Sequence, residues 1–212
     1  NASEKLADYL CPGDAFVAVS AMAPAKNASM VVDNLILSGA MVNALKARGD
    51  DIVHVVNISS DAVYADSTVP LTESSPTAPD SYHGVMHLAR EINFLSELNM
   101  PLAIVRPTLV YGEADPHNGY GPNQFRRLAA AGKNITLFGK GEELRDHILV
   151  DDVAELVRLI VLNRSSGVLN AVTGETASFR EISEIVVSQF DVPVAINETP
   201  RQGAMPHNGY RA

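Results

Sequence analysis

The stretch Asp51-Ile52-Val53-His54-Val55-Val56-Asn57-Ile58-Ser59-Ser60 decides the fold class. It is a short, nearly unbroken apolar run, rich in β-branched residues, that ends in two hydroxyls. A strand with one wet face would alternate; a continuous run suits a strand buried on both faces, as in a parallel sheet covered by helices. On its N-terminal side, residues 29–48 place Val32, Leu35, Ile36, Met41 and Leu45 at mostly helical spacing, with Gly49 just past the end. Ala15–Ser20 reads as an earlier strand. On the C-terminal side, Ser81–Leu98 reads as a helix and Pro101–Val105 as a strand that closes on Arg106-Pro107. This alternation predicts an α/β fold with a doubly wound parallel sheet.

The later part of the chain changes character. Gly112–Asn123 is a loop rich in Gly, Pro and Asn, followed by a helix near Gln124–Ala131 and a short strand at Ile135–Phe138. Asp152–Leu162 carries Val153, Leu156, Val157, Ile160 and Val161 on one helical face. Ser178-Phe179-Arg180-Glu181 is a capping box that opens a further helix. The predicted division is a sheet domain at 1–111 and a mainly substrate-binding lobe at 112–212, interleaved with the sheet domain. Between strand and helix, Ala65–Asp80 is aperiodic and rich in Ser, Thr and Pro, a length of loop expected to be functional or disordered.

Composition narrows the partners. With 212 residues, the chain is one domain or one domain with a small lobe. The net charge of −9 and the absence of a Lys/Arg run exclude a nucleic-acid surface. A small anionic ligand stays compatible, because one placed arginine can grip a phosphate. No uninterrupted apolar run reaches the ~18–20 residues that cross a bilayer, so no membrane partner is expected. Asn1–Asp8 is polar and amphipathic, unlike a signal peptide. Cys11 is the only cysteine, which rules out an internal disulfide and points to a reducing, cytoplasmic compartment.

Two segments carry chemistry. In Asn57-Ile58-Ser59-Ser60-Asp61-Ala62-Val63-Tyr64 the hydroxyls sit where a strand leaves the sheet. Open α/β sheets bind ligands beyond those strand ends, although serines also end strands for purely structural reasons. In Ser81-Tyr82-His83-Gly84-Val85-Met86-His87 a tyrosine stands near a helix start. It can serve as acid and base if its pKa is brought down from about 10, usually by a cation one turn onward. That position is Met86. His83 and His87 are also one turn apart; no third ligand is spaced to make them a metal site, and a solvated or structural role is the plainer reading.

Further motifs join these. Ser-Ser-x-x-Val-Tyr at 59–64, the Pro-rich loop, Tyr82, and Arg-Pro-x-x-Val-Tyr-Gly at 106–112 come in that order. Gly139-Lys140-Gly141-Glu142-Glu143-Leu144-Arg145-Asp146-His147 and Val150-Asp151-Asp152-Val153-Ala154 follow. Together they resemble the extended short-chain dehydrogenase/reductases, and within them the NAD-dependent epimerase/dehydratase family that acts on nucleotide sugars. The resemblance covers about Asp14 to Arg201.

The resemblance implies a Rossmann-type fold, an NAD or NADP cofactor, a nucleotide-sugar substrate and a homodimer through the helices at 29–48 and after Tyr82. It makes Ser60 and Tyr82 the catalytic pair, Tyr82 taking a sugar hydroxyl proton as hydride passes to the nicotinamide. It puts Val19, Ser20, Ala21 and Ala23 along the cofactor ribose, with Asn34, Ile58, Pro107 and Thr108 near the cofactor too. Arg145 would grip the nucleotide diphosphate, with Asn123, Gln124, Phe125, Thr136 and Phe138 lining the nucleotide pocket.

Two features depart from the family pattern. Met86 replaces the lysine that lowers the tyrosine pKa. The glycine-rich fingerprint and the first βαβαβ portion of such a sheet are absent from this sequence, Asp14 onward matching its fourth strand. Two other functions are therefore weighed: a non-catalytic nucleotide or nucleotide-sugar-binding homologue, and a reductase of small carbonyl compounds that uses the same Ser/Tyr pair.

Overall fold

The computed structural model describes residues 1–116 and 118–212. In chain order the elements are α1 (Ala2–Tyr9), β1 (Ala15–Ala18), α2 (Ala28–Arg48), β2 (His54–Ile58), α3 (Tyr82–Glu97), β3 (Leu102–Pro107), β4 (Leu109–Tyr111) and α4 (Pro122–Ala130). Then come β5 (Ile135–Phe138), β6 (Leu144–Arg145), β7 (His147–Leu149), α5 (Val150–Asn163), β8 (Gly167–Ala171), β9 (Ala177–Ser178), α6 (Phe179–Val187), β10 (Ile196–Thr199) and β11 (Tyr210–Arg211). They form two units. The first holds Asn1–Ala65, Thr72–Thr108 and Asp152–Ala171; the second holds Asp66–Leu71, Leu109–Asp151 and Val172–Ala212.

The first unit is built on the predicted parallel sheet, in the order β1-β2-β3-β8. Its inner strand β2 is buried from His54 to Asn57, as the continuous apolar run required. It starts at His54 and not at Asp51, because Gly49–Asp51 wind into a 3₁₀ turn. Only from His54 does the strand find Ala15 as its neighbour on β1. Phe16, Ala18, Val55 and Ile104 project to one face, where they meet Met41, Val42 and Leu45 of α2 and Phe94 of α3. The unforeseen α1 is closed by an Asn1–Glu4 capping box and adds Leu6 and Ala7 to that core. β8 was also unforeseen: Gly-Val-Leu-Asn-Ala has no β-rich run of its own, and it is a strand because Ala103–Pro107 pair with it.

One expectation needs correcting. By length and composition α2 is apolar enough to cross a membrane, with a mean hydropathy of 1.4. Asp33, Asn34 and Ser38 interrupt the run without removing that property. In this unit Asn34 and Ser38 are buried and spend their side chains on backbone groups, while Met41, Val42 and Leu45 fill the sheet core.

The second unit contains three small sheets, β10-β5, β11-β6-β9 and β4-β7. Its core is Phe125, Ile135, Leu137 and Phe179, with Tyr120, Ile182 and Val186 packed against them. The predicted capping box is present: Ser178 accepts from the Glu181 backbone while Glu181 accepts from Ser178. Buried Asp146 ties the turn after β8 by accepting from Thr173 N, Thr173 Oγ1 and Gly174 N.

Candidate active site

Parallel strands end together, so β1, β2 and β3 deliver their following residues to one end of the first unit's sheet. After β1, Val19 and Ser20 are exposed and Ala21 and Ala23 half-buried. Their path is fixed by fully buried Asn34, which accepts from Met22 N at 2.9 Å and donates to Met22 O at 3.1 Å and Met30 O at 2.8 Å. After β2, Ile58 and Ser60 are half-buried. Ser60 caps the 3₁₀ turn Asp61–Val63, its Oγ accepting from Ala62 N at 3.1 Å and donating to Asp61 at 3.3 Å. After β3, Pro107 is buried and half-buried Thr108 donates its N–H to Ala171 O.

The start of α3 lies against the Ser60 turn. Ser81 caps the helix by accepting from Gly84 N. A Cβ on Gly84 would stand 2.1 Å from the Ala62 carbonyl oxygen and 2.6 Å from Pro79 Cβ. Only glycine allows that approach, and it brings Ser60 and the first turn of α3 to the same end of the unit. Tyr82 is 52% exposed, and its hydroxyl has no hydrogen-bond partner among the described residues. Met86 is fully buried.

Beneath this end runs a polar network that sequence reasoning left out. Glu91 of α3 accepts a bidentate pair from Arg106, Nε at 2.9 Å and Nη2 at 2.6 Å, and a hydrogen bond from Ser59 Oγ. Arg106 Nη1 donates to the Tyr64 hydroxyl at 2.8 Å, which donates to Asn170 at 2.6 Å. The guanidinium also lies 4.7 Å from the centroid of the Tyr64 ring. Burial works against the Arg106 charge, but the hydrogen bonds to Glu91 and Tyr64 outweigh it and raise the pKa above the ordinary arginine value. Tyr64 and Arg106 stood inside the quoted motifs without a role; Glu91 had no signal beyond its place on a helix.

In the second unit, Arg145 and His147 line a cavity of about 480 Å³ with Tyr111, Pro122, Thr173 and Glu175. Arg145 is braced by Glu143 at 2.6 Å. Thr136 and Phe138 are exposed on one face of β5, whose alternate residues Ile135 and Leu137 are core. Phe138 lines a second cavity, of about 650 Å³, with Thr199 and Arg201. Asn123 is buried and spends its side chain on Gly112 N and Asp115. Gln124 is half-buried, and Phe125 lies wholly inside the core.

Residues 9–172 match the model of the NAD dependent epimerase/dehydratase family. A putative UDP-glucose 4-epimerase of Methanocaldococcus jannaschii is 32% identical over 164 residues, 74% of this chain and 53% of that protein. The chain spans about half the length of the curated relatives it matches. Among solved structures, the UDP-N-acetylglucosamine 4-epimerase from Bacillus cereus superposes with a TM-score of 0.81 at 24% identity, covering 95% of this chain and 72% of that one. The UDP-glucuronic acid 4-epimerase from Bacillus cereus, in complex with UDP-glucuronic acid and NAD, gives 0.79 at 21% identity, covering 100% and 69%. At these identities the structural likeness establishes the Rossmann-type fold.

Proposed function

Because this chain belongs to the NAD dependent epimerase/dehydratase family, we propose that it serves an enzyme that epimerises, dehydrates or reduces a nucleotide-activated sugar with NAD or NADP. The observation that carries the reading is the close seat of α3 on the Ser60 turn at Gly84. It gathers a hydroxyl and a helix-borne acid/base group at the strand ends where such sheets bind ligands. Small side chains at Ser20, Ala21 and Ala23, on a loop braced by Asn34, suit the nicotinamide-ribose end of a dinucleotide, with Pro107 and Thr108 after β3. When bound, the dinucleotide supplies the hydride acceptor and donor. Ser60 Oγ donates to the substrate oxygen as it gains carbonyl character, and the first turn of α3 takes the hydroxyl proton, a role the family pattern gives to Tyr82.

Arg145 fits the diphosphate of the substrate, its guanidinium held in a fixed orientation by Glu143 beside an open cavity. Arg145→Ala is expected to weaken UDP-glucose binding by about 10-fold or more in equilibrium titration, the worth of a charge-assisted hydrogen bond. Unchanged affinity would count against a nucleotide-sugar substrate.

A homodimer belongs to the same reading. Val32, Leu35 and Ile36 of α2 and Ile92 and Leu95 of α3 are exposed, leaving apolar surface for a second copy to cover. Ile36→Glu should then halve the sedimenting mass, whereas an unaltered mass would remove this support. Met86 favours a second reading, a homologue that binds without turnover. Adding UDP-glucose and NAD and following nicotinamide absorbance separates the two: binding with no absorbance change favours the non-catalytic protein.

A further inference from the structure

The residues α3 turns towards the strand ends are spaced by one helical turn: His83, His87 and Glu91. Glu91 fixes that face, because it is bonded both to Ser59 after β2 and to Arg106 of β3. His87, one turn earlier, is 6% exposed. His83, a further turn earlier, is half-buried and meets His87 edge-on, with ring centroids 4.7 Å apart. Both Nδ1 atoms are buried with no hydrogen-bond partner among the described residues, which leaves Nε2 of His83 for a ligand. Tyr82 sits one residue off this face, half exposed, with apolar Met86 a turn beyond it. Gly84, next to His83, is the residue seated on the Ser60 turn.

We propose that His83 is the group that takes the sugar hydroxyl proton, an inference that rests on the nucleotide-sugar reading above and names the acid/base within it. The substrate O–H bond breaks, its proton bonds to His83 Nε2, and its electron pair becomes the second C–O bond. The hydride leaves the same carbon for the oxidised nicotinamide dinucleotide, so the substrate loses the two electrons that the dinucleotide gains. In the reverse direction His83 returns the proton as hydride returns to carbon, on either face for an epimerase.

Chemistry removes the difficulty of Met86. A tyrosine needs a neighbouring cation to bring its pKa from about 10 towards neutrality, whereas an imidazole of ordinary pKa about 6.5 is already an unprotonated base at pH 7. Burial pushes His83 lower still, against the pull of Asp61. Burial, with His83 and Arg90 adding to it, pushes His87 down to about 3, so the ring packed against His83 is neutral too. A metal does not explain the pair: among the described residues no group of three His, Cys, Asp or Glu could hold one.

The test combines turnover with chemical protection on the unmodified protein. Carbethoxylation of histidines by diethyl pyrocarbonate, mapped by peptide mass, should label His83, and NAD with UDP-glucose should shield it. His83→Gln should lower hydride transfer by about 10²-fold or more while UDP-glucose affinity is retained. Should that variant fail to fold, the shielding experiment stands by itself. Nucleotide-sugar binding without shielding of His83, or full turnover in His83→Gln with loss in Tyr82→Phe, overturns this inference and leaves the family reading in place. If neither NAD nor UDP-glucose binds, the family reading falls, and this inference falls with it.

Discussion

Glu91→Ala is expected to destabilise the sheet-bearing unit by about 3–5 kcal/mol in denaturant unfolding, the usual cost of removing one partner of a buried ion pair. Glu91 and Arg106 are both almost wholly inaccessible, and the pair is bidentate. After the substitution Arg106 keeps only the neutral Tyr64 hydroxyl as partner in this network, and Ser59 Oγ loses its acceptor. A buried charge left that way costs far more than the hydrogen bonds that held it. Replacing both partners together, Glu91→Leu with Arg106→Met, should recover most of the loss, because the desolvation cost disappears with the charges. A single-variant loss below about 1 kcal/mol would show that water reaches the pair and that the network does not anchor α3.

Gly84→Ala should lower turnover by about 10²-fold although no reacting group changes, since a displacement near 1 Å is enough for that. By helix propensity alone the change would stabilise the protein by about 1 kcal/mol. The added Cβ instead meets backbone, 2.1 Å from the Ala62 carbonyl oxygen, and neither the turn nor the helix has a flexible end that can yield. Lifting the first turn of α3 off the Ser60 turn should cost about 1–3 kcal/mol, as overpacking does. Thermal unfolding and turnover are the measurements. A variant as stable and active as the parent would mean that the close seat of α3 is not what assembles the site.

Much of the fold was legible because burial leaves periodicity behind. The run at 52–58 could only be a strand covered on both faces, and Ser178–Glu181 announced a helix start through chemistry confined to four residues. β8 and the short strands β4, β6, β9 and β11 were not legible, since two to five residues carry no period and become strands only through partners distant in sequence. The same holds for the site. Ser60 was readable from its place at a strand end, and Arg145 from its motif. The Glu91–Arg106–Tyr64 network was not, because its members come from a helix, a strand and a loop up to 42 residues apart.

By itself, then, the sequence determined the parallel α/β class, the strand ends where the chemistry lies, and the family, because each is written in local pattern and motif order. It also determined that a methionine stands one turn beyond Tyr82. Only the tertiary structure decided which side of α3 faces those strand ends. Residues 82 and 83 differ by about 100° around a helix, a rotation that spacing leaves open and that contact with Ser59 and Arg106 fixes through Glu91.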